Sequence, residues 1–290
     1  MNSIAIVNPN ILNPDNKLYS LLSSDKAPIW WNLLKQDPEL YIEIRKNDVV
    51  EIYYQGGRMA KLEFNKKSKK ITPTAHPSYL GHLDRTDTRY YKNDKDHSAI
   101  YQDCSEWLCH KLDDMKKNIR KSYTDNHESK ENVSEKKIQG HLIVSRRDKY
   151  IDSEFAYRFR EGDRKQIRVD LVKIDNNQII FEELKKINDY RMHTSKEENP
   201  EIVKQMREYK EFILKNQVTL LEYYRALIKI KESLGLPIPN INNDSLVVNP
   251  EPVLLIANNY EKINGQRENR LNHIEGILKS NGIKYKLFNY

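Results

Sequence analysis

Cysteine is nearly absent from this chain, which carries only Cys104 and Cys109 in 290 residues. Two thiols cannot build a disulfide framework in a chain of this size, which fits a reducing, cytoplasmic setting. No secretory leader is expected, because Met1 to Ser20 offers neither a basic start nor an apolar stretch. No apolar run approaches the roughly 20 residues that a membrane-spanning helix needs, so no membrane role is expected. Internal repeats are absent as well. A structural zinc site on His97, Cys104, Cys109 and His110 is not expected, because the spacing is poor: were residues 98 to 119 helical, Cys104 would fall on the apolar stripe while His110 pointed elsewhere.

Charge, by contrast, is abundant. Charged residues make up 31% of the chain, the formal net charge is +7 and the pI is about 9.0, a balance that favours polyanions, nucleic acid being the commonest. A Lys-, Asn- and Ile-rich composition yields the same charge without any ligand, so charge alone does not decide. The aromatic pairs Trp30-Trp31 and Tyr53-Tyr54 could stack on bases, but pairs in strands and helices usually belong to a core.

Hydrophobic patterning predicts a β-meander from about Tyr41 to Thr74, with Gly56-Gly57 turning between its second and third strands, then one long helix from about Ser98 to Ile119. The stretch from Thr124 to Gln139 has hardly an apolar residue and reads as an exposed linker. Three parts follow: an N-terminal recognition or partner domain over 1–125, a linker over 126–140 and a second domain over 141–290. In the last, a helix is expected around Asp152 to Phe159 and another opening at Asn199-Pro200-Glu201, where Asn suits the N-cap and Pro the first helical position. A helix from about Val218 to Leu234, a buried strand Val253 to Ala257, a helix near Arg270 to Lys279 and a last strand Lys284 to Phe288 complete an α/β pattern.

The richest stretch runs from Arg168 to Lys185. Two runs of Val, Ile, Leu and Phe flank Asp175-Asn176-Asn177-Gln178, the signature of a hairpin whose central residues accept positive φ. With Asn176 and Asn177 at its tip, Asp170 lies opposite Glu183. Opposed like charges are destabilising, so a cation is expected between them. Alternation along the strand puts Lys185 on the face of Glu183 and Glu182 on the other. The next helix carries Gln205 and Tyr209 one turn apart.

On these residues the chain resembles the PD-(D/E)XK nuclease superfamily, in the RecB-like branch whose helix after the Glu-x-Lys strand bears Gln-x-x-x-Tyr. By that resemblance Asp170 is the motif aspartate, Glu183 and Lys185 the Glu-x-Lys pair, and Gln205 and Tyr209 the helix motif. Glu154 looks like the additional family glutamate. Val169 stands where the name-giving proline would be. The resemblance implies a restriction-endonuclease-like core, a mixed sheet flanked by helices, preceded by the β-rich region and its long helix.

It also implies Mg²⁺-dependent hydrolysis of DNA leaving a 5′-phosphate, with Mn²⁺ able to substitute. Independently of the family, a hard divalent cation prefers carboxylate oxygen and is commonly held by one or two acids plus water and phosphate oxygens, a role that suits Asp170 and Glu183; the resemblance adds Glu154 as a third ligand. Lys185 would hold the attacking water or stabilise developing charge. Lys186, Arg191, Lys204 and Arg207 would grip phosphates, Arg191 foremost, although such a charge run is also what a solvated face looks like. Two rivals stand beside this reading: a non-catalytic module for nucleic acid or protein on the same fold, and an RNA-directed nuclease. The N-terminal region would serve substrate recognition, a protein partner or homodimerisation.

Overall fold

The computed structural model describes residues 12–93, 96–123, 130–158, 166–192 and 200–290. Two short helices, α1 (Lys17–Leu22) and α2 (Ile29–Gln36), lead into the expected meander: β1 (Leu40–Arg45), β2 (Val49–Tyr54), β3 (Gly57–Asn65) and β4 (Lys70–Ala75). These strands pair antiparallel in chain order, and the two-residue β5 (Gln102–Asp103) closes the sheet beside β4. Trp30, Trp31 and Tyr54 are buried, so they serve the core.

The single helix expected from Ser98 is replaced by an isolated bridge between Tyr91 and Ala99, then β5, then α3 (Ser105–His110) and α4 (Leu112–Tyr123). Its apolar periodicity was partly coincidence: Cys104, Leu108, Met115 and Ile119 are buried, whereas Ile100 is exposed before any helix starts. The expected linker is likewise corrected. Residues 124–129 lie outside the described part, but a 3-10 turn (Lys130–Asn132) and then α5 (Glu135–Ser145) follow, the helix capped by Ser134 and burying Ile138, Gln139 and Ile143.

The helix expected around Asp152 is a strand, β6 (Tyr150–Arg158). Its polar centre, Asp152-Ser153-Glu154, misleads because tertiary partners satisfy it. Arg45 Nη1 lies 2.8 Å from Asp152 Oδ1, and Ser153 Oγ donates to Glu43 Oε1 at 2.9 Å. Then come β7 (Gln166–Asp175) and β8 (Gln178–Lys186), with β7 antiparallel to both β6 and β8.

The two helices expected next form one element, α6 (Glu201–Ser233), bent at Asn216, where φ is −121° and ψ 16°. The Asn216 side chain donates to Phe212 O at 2.7 Å, an attachment to the preceding turn of the kind that accompanies helix bends. Pro200 rather than Asn199 holds the N-cap position, without a side-chain cap bond; Asn199 lies outside the described residues. A short β9 (Val247–Val248), then β10 (Val253–Asn258), α7 (Gly265–Ser280) and β11 (Tyr285–Asn289) finish the chain. The second sheet has the order β11-β10-β8-β7-β6, parallel across β8, β10 and β11, with β9 pairing β8. The architecture is therefore mixed α/β with two sheets.

One apolar cluster runs from Leu18 and Trp31 through Ile44 to Phe155, Phe181 and Tyr224. The β2–β3 turn seats directly on α5. Gly56 has φ +83°, and a Cβ there would stand 2.3 Å from the Lys136 carbonyl oxygen, while a Cβ on Gly140 would stand 2.8 Å from Gly56 N. Only glycine permits both the turn and the approach. A buried ionic seam adds polar contacts: Lys231 Nζ on α6 donates to Glu43 Oε2 at 3.2 Å and to Ile151 O at 2.6 Å.

Candidate active site

The hairpin has the predicted register. Asn176 and Asn177 take φ of 50° and 58°, the left-handed pair of a two-residue primed turn, and the ladder runs from Asp175–Gln178 to Leu171–Glu182. One step further, where pairing ends, Asp170 meets Glu183. The strand that carries Glu183 is buried on both sides, since β8 lies between β7 and β10.

Lys185 fills the place that charge repulsion requires. Its Nζ contacts Glu183 Oε1, lies 3.8 Å from Asp170 Oδ2 and donates to Leu184 O at 2.8 Å. Asp170 Oδ2 also accepts from Leu184 N at 2.9 Å. Glu182 goes elsewhere, to Lys173 Nζ at 2.6 Å and the Tyr150 hydroxyl at 3.0 Å. Helix α6 supplies the backing. Gln205 Nε2 donates to Glu183 Oε1 at 2.8 Å and to the Tyr209 hydroxyl at 2.7 Å, and that hydroxyl stands 3.2 Å from Glu183 Oε2 and against the Arg168 carbonyl. The five motif residues thus form one connected group.

Glu154 comes from strand β6 and not from a helix. It falls between the pairs Ser153–Leu171 and Phe155–Val169, which sets it opposite Asp170, and its φ of 50° is left-handed, a strained state for a glutamate in a strand. The chain spends conformational energy beside the acid pair, as functional sites often do.

Electrostatics follow from this crowding. Burial pushes the Asp170 carboxyl up to about 7, with the charges of Glu183 and Glu154 adding to the rise and Lys185 opposing it. Burial opposes the Lys185 charge, yet the carboxylates of Glu183, Asp170 and Glu135 hold its pKa above the usual lysine range. Glu135 is the acid that sequence reasoning missed. At the start of α5, its Oε1 accepts from Lys186 N at 3.2 Å, and burial raises its pKa while Lys185 pulls it down. Its signal was present: Ser134 followed by glutamate is a helix opening, hidden in a stretch whose next residues are lysines.

The four basic candidates separate. Arg191 stands near the site, but Asp189 binds it at two points, 2.9 and 2.6 Å, and Glu135 Oε2 is 3.9 Å away. Lys186 follows Lys185 on β8 and is half-buried. Lys204 is exposed on α6. Arg207 departs altogether, donating to Asn281 Oδ1 at 2.7 Å at the end of α7, where it lines a different pocket with Lys210 and Lys284. The structure therefore does not bring the four together.

Among the described residues no group of three or more His, Cys, Asp and Glu side chains is arranged to hold a metal ion. Two acids suffice for a Mg²⁺ that keeps its waters and takes phosphate oxygens. Asp170 and Glu183 fit such an ion on their chemistry: the two carboxylates converge on Lys185 Nζ, and the negative charge of Glu183 adds to burial in raising the Asp170 carboxyl. No helix among the described residues is long and apolar enough to cross a membrane. No protein-family model matches this chain, and no curated protein or solved structure matches it either.

Proposed function

We propose that the protein is a metal-dependent nuclease that hydrolyses phosphodiester bonds of DNA, with the second sheet and its helices acting as a restriction-endonuclease-like core. The observation that carries this reading is the meeting of Asp170, Glu183 and Lys185 at the open end of the β7–β8 hairpin, with Gln205 and Tyr209 fastening Glu183 from behind. Asp170 and Glu183, with Glu154 or Glu135 next to them, would hold Mg²⁺ or Mn²⁺. Once bound, the ion would polarise the scissile phosphate and acidify a water.

The remaining roles belong to side chains. Lys185 carries its proton throughout, because three carboxylates favour the charged form, so it acts as a fixed positive charge that orients the attacking water and meets charge developing on the phosphate. Gln205 and Tyr209 hold the Glu183 carboxylate in one orientation, as partners of metal-binding groups do. Burial of Lys185 and Glu183, whose side chains are 2% and 4% exposed, keeps bulk water from screening these charges.

A second reading has its own observation. Both Glu183 oxygens already have donors, Lys185 and Gln205 on one and Tyr209 on the other, which is how a purely structural ion pair in a binding module would look. Cleavage assays separate the two. Linear, circular and single-stranded DNA, and RNA of the same sequence, are incubated with Mg²⁺, Mn²⁺ or a chelator. Metal-dependent cleavage by the native chain that disappears in Asp170→Asn and Lys185→Met supports the nuclease; cleavage at the native rate by both variants, or none by the native chain, overturns it. Preference for the ribonucleic strand would move the substrate from DNA to RNA.

A further inference from the structure

Beside the acid pair lies a groove of about 190 Å³ between the two sheets. One wall is the N-terminal sheet, with Tyr41, Arg45 and Tyr53. The other comes from α5 and the second sheet, with Lys136, Glu154 and Arg168. Gln139 ties the groove to the candidate site, because its side chain lines the groove and donates to the Asp170 carbonyl, and Glu154 stands in both.

Charge within the groove is unevenly cancelled. Glu51 is neutralised by Arg45 at 3.2 Å and Arg58 at 2.6 Å. Lys136 and Arg168 are exposed, and among the described residues neither meets a carboxylate in an ion pair. With the Gln166 amide turned so that its oxygen faces Arg168, that neutral oxygen accepts from Arg168 Nε at 2.7 Å and Nη2 at 2.9 Å. Its guanidinium is thereby oriented without losing charge. Tyr53 is stacked on Tyr41 with ring centroids 5.1 Å apart and has Arg45 over it at 5.7 Å, so the tyrosine wall is fixed and presents ring edges. A wall of that kind reads shape and backbone, not base identity.

We infer that this groove between the N-terminal sheet and the second sheet binds a single nucleic-acid strand, with Lys136 and Arg168 on its phosphates. The inference deepens the nuclease reading by naming strandedness and a role for the N-terminal sheet. Single-strand sites use a basic groove that tracks the backbone, and Lys136 and Arg168 supply such charges here. Recess selects the single strand as well: Glu183 and Lys185 are almost wholly buried and Asp170 is 29% exposed, so a phosphate must enter a recess to reach them. A rigid duplex keeps its phosphates on a broad outer surface and would have to open first.

The test is binding without metal, read by fluorescence anisotropy in chelator with a labelled oligothymidylate and a blunt DNA hairpin. The native chain is compared with Lys136→Glu, Arg168→Glu and, as a control with the same charge change at an exposed site on the β3–β4 turn, Lys67→Glu. Each groove reversal is expected to weaken oligothymidylate binding roughly tenfold at low salt and to reduce the slope of log affinity against log salt by about one, with Lys67→Glu close to native. The native chain is expected to prefer the single strand. Groove reversals indistinguishable from Lys67→Glu, equal or tighter binding of the hairpin, or no binding by the native chain would each overturn the inference. Should either reversal fail to fold by circular dichroism, Lys136→Gln and Arg168→Gln serve with half the charge change. Because no metal is present, loss of the nuclease reading through absent cleavage leaves this measurement intact, and the two failures are distinguishable.

Discussion

Gln205 Nε2 stands 2.8 Å from Glu183 Oε1, so an amide on the long helix fastens an acid in the middle of a buried strand. The same nitrogen reaches the Tyr209 hydroxyl at 2.7 Å, which makes the helix turn a two-point brace. Bracing matters because Glu183 also contacts Lys185, and without helix donors the carboxylate could turn fully toward that ammonium.

Gln205→Ala is therefore expected to leave the fold in place and to lower metal affinity or turnover about 10- to 100-fold, the usual cost of losing an outer partner of a metal-binding group. Mn²⁺ titration by calorimetry beside single-turnover cleavage reads both quantities. Native affinity and native turnover together would show that the brace is incidental.

Lys185 separates binding from chemistry. Lys185→Met removes the cation between Asp170 and Glu183 but leaves both acids, so Mn²⁺ binding is expected to persist while turnover falls at least about a hundredfold through loss of charge stabilisation. Without its ammonium the acid pair repels more strongly, so one carboxyl should take up a proton, and metal binding should become more steeply dependent on pH. Turnover within a factor of about two of native would remove Lys185 from the chemistry.

Asp170 predicts the pH behaviour. Its folded carboxyl is raised from an ordinary 3.8 to about 7, with burial the leading cause. Between those values the folded chain binds a proton that the unfolded chain does not, so the metal-free protein loses stability as pH rises from 4 to 7. In chelator, Asp170→Asn is thus expected to melt a few degrees above the native chain at pH 8 and to converge with it near pH 4. With Mn²⁺ the order reverses at pH 8, since the metal binds the ionised acid. A stability difference independent of pH between those limits would contradict the assignment of the titrating group.

The meeting of Asp170, Glu183 and Lys185 was more legible in the sequence than its surroundings. Local rules fix the hairpin: Asn176-Asn177 demands a primed turn, the turn sets the register, and the register places Asp170 against Glu183. The meander and the β10, α7, β11 run are similarly local. Strand β6 was illegible because its polar triplet finds partners about 110 residues away, Arg45 and Glu43. Helix α5 was hidden for the opposite reason: its lysines advertise solvent, while Gln139 and Gly140 are buried by the Asp170 carbonyl and the Gly56 turn. Both failures hid an acid's true setting, that of Glu154 in one case and of Glu135 in the other. The four basic candidates do not gather in one place, because sequence nearness says little about direction on a helix: Arg207 is two residues from Gln205 and faces α7.

The ionic seam between the sheets gives the last prediction. Lys231 on α6 is 6% exposed and holds Glu43 Oε2 at 3.2 Å, while Arg45 holds Asp152 at 2.8 Å nearby. Removing one member of a buried pair strands its partner, at a cost of about 3–5 kcal/mol, whereas removing both charges with matched shapes costs far less. Lys231→Met should therefore shift the urea midpoint strongly downward. It should also push the Asp152 carboxyl above its value of about 6, since burial already raises it and Lys231 is one of the charges that restrain it. Adding Glu43→Gln should recover much of the loss, because the amide oxygen can still accept from Ser153 Oγ. If the double variant were no more stable than Lys231→Met, the lysine would be acting through its bond to the Ile151 carbonyl, 2.6 Å away, and not through the charge on Glu43.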